Sequence, residues 1–89
     1  MFKIKVTRQF KRKYFKLPME IKILAEKQEK ILIQNPFDER LKTHKLKGKF
    51  SKFWSFSVNY QYRIIFTFEG NKIIYYHSVG NHSVYKDLI

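Results

Sequence analysis

Histidine, arginine and lysine supply most of what this 89-residue chain can use for chemistry. Its histidines stand at positions 44, 77 and 82, and it has no cysteine. Without thiols, disulfides and thiolate zinc sites are unavailable. The histidine spacing matches no common ligand set and has no carboxylate close by, so neither a metal nor a cofactor is expected. Imidazole offers proton transfer near neutral pH instead. Arg63 offers a planar fork of donors suited to phosphate. Lys45, Lys47, Lys49 and Lys52 read as phosphate-positioning groups. Each candidate also has a plainer structural reading. Arg63 alone is an exposed strand residue, His82 a turn residue bonded to backbone beside Asn81, His44 a solvent-exposed loop residue, and Tyr85 a hydrophobic anchor for the tail. His77 alternates with Ile73, Tyr75 and Val79 and reads as a core-side residue.

The elements that must position these groups follow from periodicity. Phe2, Ile4 and Val6 alternate with Lys3 and Lys5, which predicts a short strand. Thr7 can cap a helix in which Phe10 and Tyr14 share a face. Lys16-Leu17-Pro18 breaks that helix, and Pro18 suits the first turn of the next. Ile21, Leu24, Gln28, Ile31 and Leu32 carry the second helix to about Ile33, short of Asn35-Pro36. Residues 35–44 read as a loop, and the stretch from Leu46 to Phe50 as a short strand. Trp54, Phe56, Val58 and Tyr60 then share one side of a strand, with Ser55, Ser57 and Asn59 on the other. Tyr62, Ile64, Phe66 and Phe68 alternate with Arg63, Ile65 and Thr67. Glu69-Gly70-Asn71 makes a turn, and Ile73 to Val79 a final strand. The expectation is an α+β fold over residues 1–89: an N-terminal strand, then a two-helix hairpin packed on a mostly antiparallel sheet of four to five strands. The face away from the helices is expected to be partly open and to carry Ser55, Ser57, Asn59 and Arg63, as on many sheets that bind RNA.

Charge adds a second pattern. Lys+Arg number 19 against 7 Asp+Glu, a formal net charge of +12, while 44% of residues are hydrophobic. The apolar content excludes a disordered basic tail, and no apolar run approaches the ~20 residues of a membrane span. The first residues lack the apolar core of a signal peptide, so a cytoplasmic protein without membrane contact is expected. Residues 1–16 and residues 40–52 contain no acid, whereas residues 18–34 are balanced, with Glu20, Glu26 and Glu29 set against Lys22, Lys27 and Lys30. Two acid-free segments flanking a neutral one suggest a phosphate-binding patch; uniformly solvated lysines are the alternative.

The ordered set His44-Lys45-Leu46-Lys47-Gly48, Phe53-Trp54-Ser55, Tyr62-Arg63-Ile64-Ile65-Phe66 and Val79-Gly80-Asn81-His82-Ser83-Val84-Tyr85 resembles the RelE/ParE toxin superfamily. Length, element order and basic charge agree along the whole chain. The resemblance implies the RelE-like microbial ribonuclease fold. It also implies the toxin half of a type II toxin–antitoxin pair, with an acidic antitoxin as cognate partner. Many members are metal-independent endoribonucleases that act on mRNA in the ribosomal A site, which makes the ribosome, through rRNA and A-site mRNA, the second implied partner. Arg63 falls on the family's phosphate-supporting sheet arginine. His82 falls where members carry a His or Arg, Tyr85 on a C-terminal aromatic that stacks on a base or assists proton transfer, and His44 near a general-base position. Some members use lysines for that base, and Lys45, Lys47 and Lys49 are then available.

Metal-free RNA cleavage takes the substrate's own 2′-OH as nucleophile. It needs a base for that proton, an acid for the leaving 5′-oxygen, and cations for the charge building on phosphate. Histidine and arginine meet those needs, and DNA, lacking the 2′-OH, would be spared. Two other functions compete: DNA gyrase inhibition without catalysis, as in another branch of the superfamily, and non-toxic RNA or ribosome binding by a small basic protein.

Overall fold

The computed structural model describes residues 1–88, except for the side chains of His82, Ser83 and Asp87; Ile89 lies outside the described residues. Strand β1 (Lys3–Val6) leads into α1 (Arg8–Phe15), whose N-cap Thr7 accepts a hydrogen bond from the Phe10 amide at 3.0 Å. That bond satisfies one of the orphan donors of the first turn. The Thr7 hydroxyl donates in turn to the carbonyl of His77 at 3.1 Å, so the cap also ties the helix start to the sheet. Helix α1 stops at Lys16, ahead of Leu17-Pro18, because the residue before proline is pushed out of the helical region. Helix α2 (Met19–Gln34) follows directly, and its first turn donates to the Pro18 carbonyl. Tyr14 Oη donates to the Lys22 carbonyl and Lys22 Nζ to the Phe15 carbonyl, closing the hairpin. The backbone turns extended at Asn35, before Pro36.

Strands β2 (His44–Lys45), β3 (Trp54–Ser57), β4 (Arg63–Glu69) and β5 (Ile73–Gly80) complete a five-stranded sheet in the order β1-β5-β4-β3-β2. Only β1, alongside β5, pairs parallel; the other pairs are antiparallel. Phe56, Ile64, Phe66, Ile74, Tyr76 and Val79 face the helices, which contribute Phe10, Ile21, Ala25 and Leu32 to the same core. Burying this apolar surface is the main term that holds the layers together. Tyr76 Oη donates to Glu29 Oε1 at 2.8 Å, giving the one polar atom of that buried ring a partner on α2.

The architecture agrees with the sequence-based expectation, and three details differ. Strand β3 ends at Ser57, and residues 58–62 turn, with Asn59 Oδ1 accepting from the amides of Gln61 and Tyr62. Tyr60 is therefore 84% exposed at the apex rather than in the core. The strand expected from Leu46 to Phe50 is instead the two-residue β2 followed by a 3-10 turn, Gly48–Phe50, which Gly48 enters at φ 65°. The face away from the helices is also less open than polar spacing implies. Leu46, Ile65 and Val84 form a second buried cluster there, with Phe50, Phe53, Tyr85 and Leu88 packed on it. The C-terminal 3-10 segment, His82–Leu88, supplies half of this cover.

Candidate active site

The register of the sheet places the candidate residues. Residues directly opposite one another in antiparallel strands share a face. One cross-strand row runs Ser57, Arg63, Gly80; the next runs His44, Ser55, Ile65, Ser78. Since Ile64 and Phe56 face the helices, both rows lie on the opposite face. Arg63 and His44 are thus brought to the same face, one row and two strands apart.

Arg63 opens β4 and is half-buried, and its Nε has neither solvent nor a hydrogen-bond partner. A buried N–H without an acceptor costs ~1–3 kcal/mol, so the guanidinium is held in an arrangement that the fold itself does not satisfy. His44 sits on the edge strand, exposed, with Nδ1 3.2 Å from the Lys42 carbonyl and Nε2 3.4 Å from Ser55 Oγ. Ser55 is fully buried, so its hydroxyl is a fixed neighbour of the ring. Tyr85 packs on the cluster of Leu46, Ile65 and Val84, on the same open face as the His44 row. His82 begins the segment that follows Gly80, the residue paired with Arg63; its side chain lies outside the described residues.

The lysines separate into two groups. Lys47, Lys49 and Lys52 ride on the turn that covers this face, all exposed, with Lys49 Nζ over Phe50 and Lys52 Nζ over Phe53. Lys45 pairs with Trp54, so it alternates onto the helix-side face, away from His44.

His77 was expected on the core side, and the structure corrects this. A register shift between Ile65 and Phe66 makes Ser78 oppose Ile65 while Tyr76 opposes Phe66, leaving His77 as the extra residue of a β-bulge. Its side chain lies on the open face. Nε2 is 2.8 Å from Thr67 Oγ1, the ring stacks on Tyr75, and Phe53 meets it edge-on. Burial, helped by the nearby charge of Lys52, holds its pKa below the ordinary value, with Glu69 opposing. Sequence periodicity missed it because both alternating sets in β5 contain apolar residues; the signal available was the surplus residue between Tyr76 and Val79.

A separate crevice of about 240 Å³ between the helices and the sheet is lined by Phe10, Tyr14, Ile64 and Tyr76 with Glu26 and Glu29 at its margin, the wrong charge for phosphate. Among the described residues no group of His, Asp and Glu could hold a metal ion, and no helix is long and apolar enough to cross a membrane.

Comparison with known proteins agrees with this fold. Solved structures with the same fold include a YoeB/ParE toxin from Agrobacterium tumefaciens, with a TM-score of 0.78, 16% identity, and 91% of this chain and 99% of that one covered. YafQ from Escherichia coli BL21(DE3) gives 0.73 at 18% identity, covering 93% and 96%. The Escherichia coli DinJ–YafQ toxin–antitoxin complex gives 0.68 at 17%, covering 92% and 93%. Comparison with curated protein sequences returns no match. The model of the family described as the RelE-like toxin of type II toxin–antitoxin system HigB matches residues 3–82. Over that span, which holds every strand and both helices, the chain belongs to the HigB-like branch of the RelE-like toxins of type II toxin–antitoxin systems.

Proposed function

We propose that this toxin is a metal-independent endoribonuclease that cuts mRNA bound at the ribosome and is silenced by an acidic antitoxin. One observation carries the reading: the buried, unpartnered Nε of Arg63 on the sheet face shared with His44. A phosphate oxygen is the acceptor that a guanidinium suits, through charge-assisted hydrogen bonds; because Nε is closed to solvent, pairing through it requires the cover of this face to shift as RNA binds. Arg63 then holds the scissile phosphate while the RNA 2′-OH attacks. His44, or a lysine of the cover, takes the proton, His82 returns one to the leaving 5′-oxygen, and Tyr85 backs a base. Lys47, Lys49 and Lys52 fix the backbone on this face, and Lys45, on the helix-side face, stands apart from it. The fold likeness to YafQ, known in complex with DinJ, supports an antitoxin partner. The site is shallow and lies on a sheet face, which suits an enzyme whose substrate is positioned by a larger body.

Expression from a tightly controlled promoter tests this. The parent should arrest growth and leave cuts in translated mRNA, and Arg63→Ala should weaken both. Intact mRNA with DNA supercoiling blocked would replace this reading with gyrase inhibition. No arrest at all would favour a non-toxic RNA-binding role.

A further inference from the structure

We propose that Tyr60 is a base-stacking residue on a single-stranded RNA track that leaves the Arg63 site across the β3–β4 turn; this rests on the nuclease reading above. Three observations meet at this residue. Tyr60 is 84% exposed, the most of any large apolar residue among the described residues. The backbone that presents it is nevertheless tied down. Asn59 Oδ1 accepts from the amides of Gln61 and Tyr62 at 2.9 and 2.7 Å, and the Val58 amide donates to the Tyr62 carbonyl at 2.9 Å, so the turn carrying the ring is braced on both sides. Finally, Tyr60 is shared by two grooves. One, of about 280 Å³, is lined by Lys27, Arg40 and Lys42. The other, of about 410 Å³, is lined by Gln61, Tyr62 and Asn81.

The second groove lies at the same end of the sheet as the proposed site: Tyr62 and Asn81 flank the Arg63–Gly80 pair, with the Tyr62 ring turned to the helix-side face, so a strand leaving Arg63 reaches this groove over the end of the sheet. The first opens onto cations. Arg40 is already engaged by Asp38 through bonds of 3.0 and 2.9 Å, so the remaining cations lining this groove are Lys27 and Lys42. Read outward from Arg63, the surface offers a phosphate cation, amide groups able to meet base edges, an aromatic face and then more cations. Alternating cationic and aromatic contacts are how single strands are held, because every base has a π-face and every linkage a charge. The braced turn backbone is already ordered before RNA binds, so only the ring's own rotation is lost on stacking.

The test measures binding of a short fluorescein-labelled single-stranded RNA by anisotropy, and maps cuts in translated mRNA, for the parent, Tyr60→Ala and Tyr60→Phe. Circular dichroism melts should coincide for all three, since the ring is outside the core. Tyr60→Ala should weaken RNA binding about tenfold and redistribute the cut positions, while Tyr60→Phe keeps both, because stacking needs only the ring. Unchanged affinity in Tyr60→Ala overturns the proposal, as does an equal loss in Tyr60→Phe, or a parent that binds no RNA. A parent that binds RNA through Tyr60 but leaves translated mRNA intact would uphold the track and remove the nuclease reading alone.

Discussion

Arg63 and His77 show opposite ways for a side chain to sit on the same sheet face. Arg63 keeps a buried Nε that no protein acceptor satisfies. Removing it should cost activity without costing the fold: Arg63→Ala should lower single-turnover cleavage about 10²–10³-fold, as expected for one donor aimed at transition-state charge. Its melting temperature should hold or rise, since the unpartnered group goes with it. Arg63→Lys should recover little, because a point charge cannot replace the fork. His77, in contrast, is built into its surroundings by Thr67, Tyr75 and Phe53. Burial first and Lys52 second hold its folded-state pKa below the ordinary 6.5. The unfolded chain therefore takes up the proton first as pH falls. Stability contributed by neutral His77 is complete above about pH 6.5 and drains away as pH drops from there toward the lowered folded-state value. Melts across that window should show a falling midpoint for the parent and a flatter profile for His77→Gln; parallel profiles would remove His77 from the account.

At the scale of elements, two junctions set the site. The first is Thr7, which caps α1 and binds the carbonyl of His77 in the bulge. Thr7→Ala should destabilise the fold by about 1–2 kcal/mol in chemical denaturation, the upper range for a lost cap, because a second bond is lost with it. Thr7→Ser should restore most of that, since it keeps the hydroxyl. The second junction is the small cluster of Leu46, Ile65 and Val84 that carries the turn bearing Lys47 and Lys49, together with the C-terminal segment bearing Tyr85. Leu46→Ala should cost about 2 kcal/mol, at the low end for buried leucine because a small cluster can collapse. It should also reduce cleavage, since it loosens the cover over the His44 row. Cleavage at the parent rate in a destabilised Leu46→Ala protein would show that the cover does not position the site.

For the whole molecule the question is what the +12 charge does. It is concentrated on segments that end up on the cover of the open face and at the N-terminal strand and helix, while α2 stays mixed in sign. Binding driven by phosphate neutralisation should fall linearly in log affinity against log salt. Charge removal at Lys47, Lys49 or Lys52 should each reduce the slope of that line by about one, and affect all RNA sequences alike. A slope unchanged in the triple variant would mean that these lysines do not touch the backbone. The same field favours encounter with any acidic partner, an antitoxin included.

The sequence by itself determined the element order, the helix hairpin and the sheet side that packs on it, because those follow from local signals: Thr7 before a helical face, Pro18 between two helices, and alternation from Tyr62 to Phe68. It also carried the family, through an ordered set of short motifs spread along the chain. It could not determine where alternation breaks. In β5 both candidate faces are apolar enough, so only pairing with β4 decides that the extra residue is His77 and that Tyr76 and Val79 share the core. The end of β3 was hidden for a similar reason: Tyr60 continues the apolar pattern, and only the bonds to Asn59 turn the chain and expose the ring. Tertiary packing alone placed Leu46, Ile65 and Val84 over the open face, since those contacts join residues far apart in the chain. The same packing leaves Arg63 half-covered with an N–H to spare, because whether a group finds an acceptor depends on every element around it rather than on its neighbours in sequence.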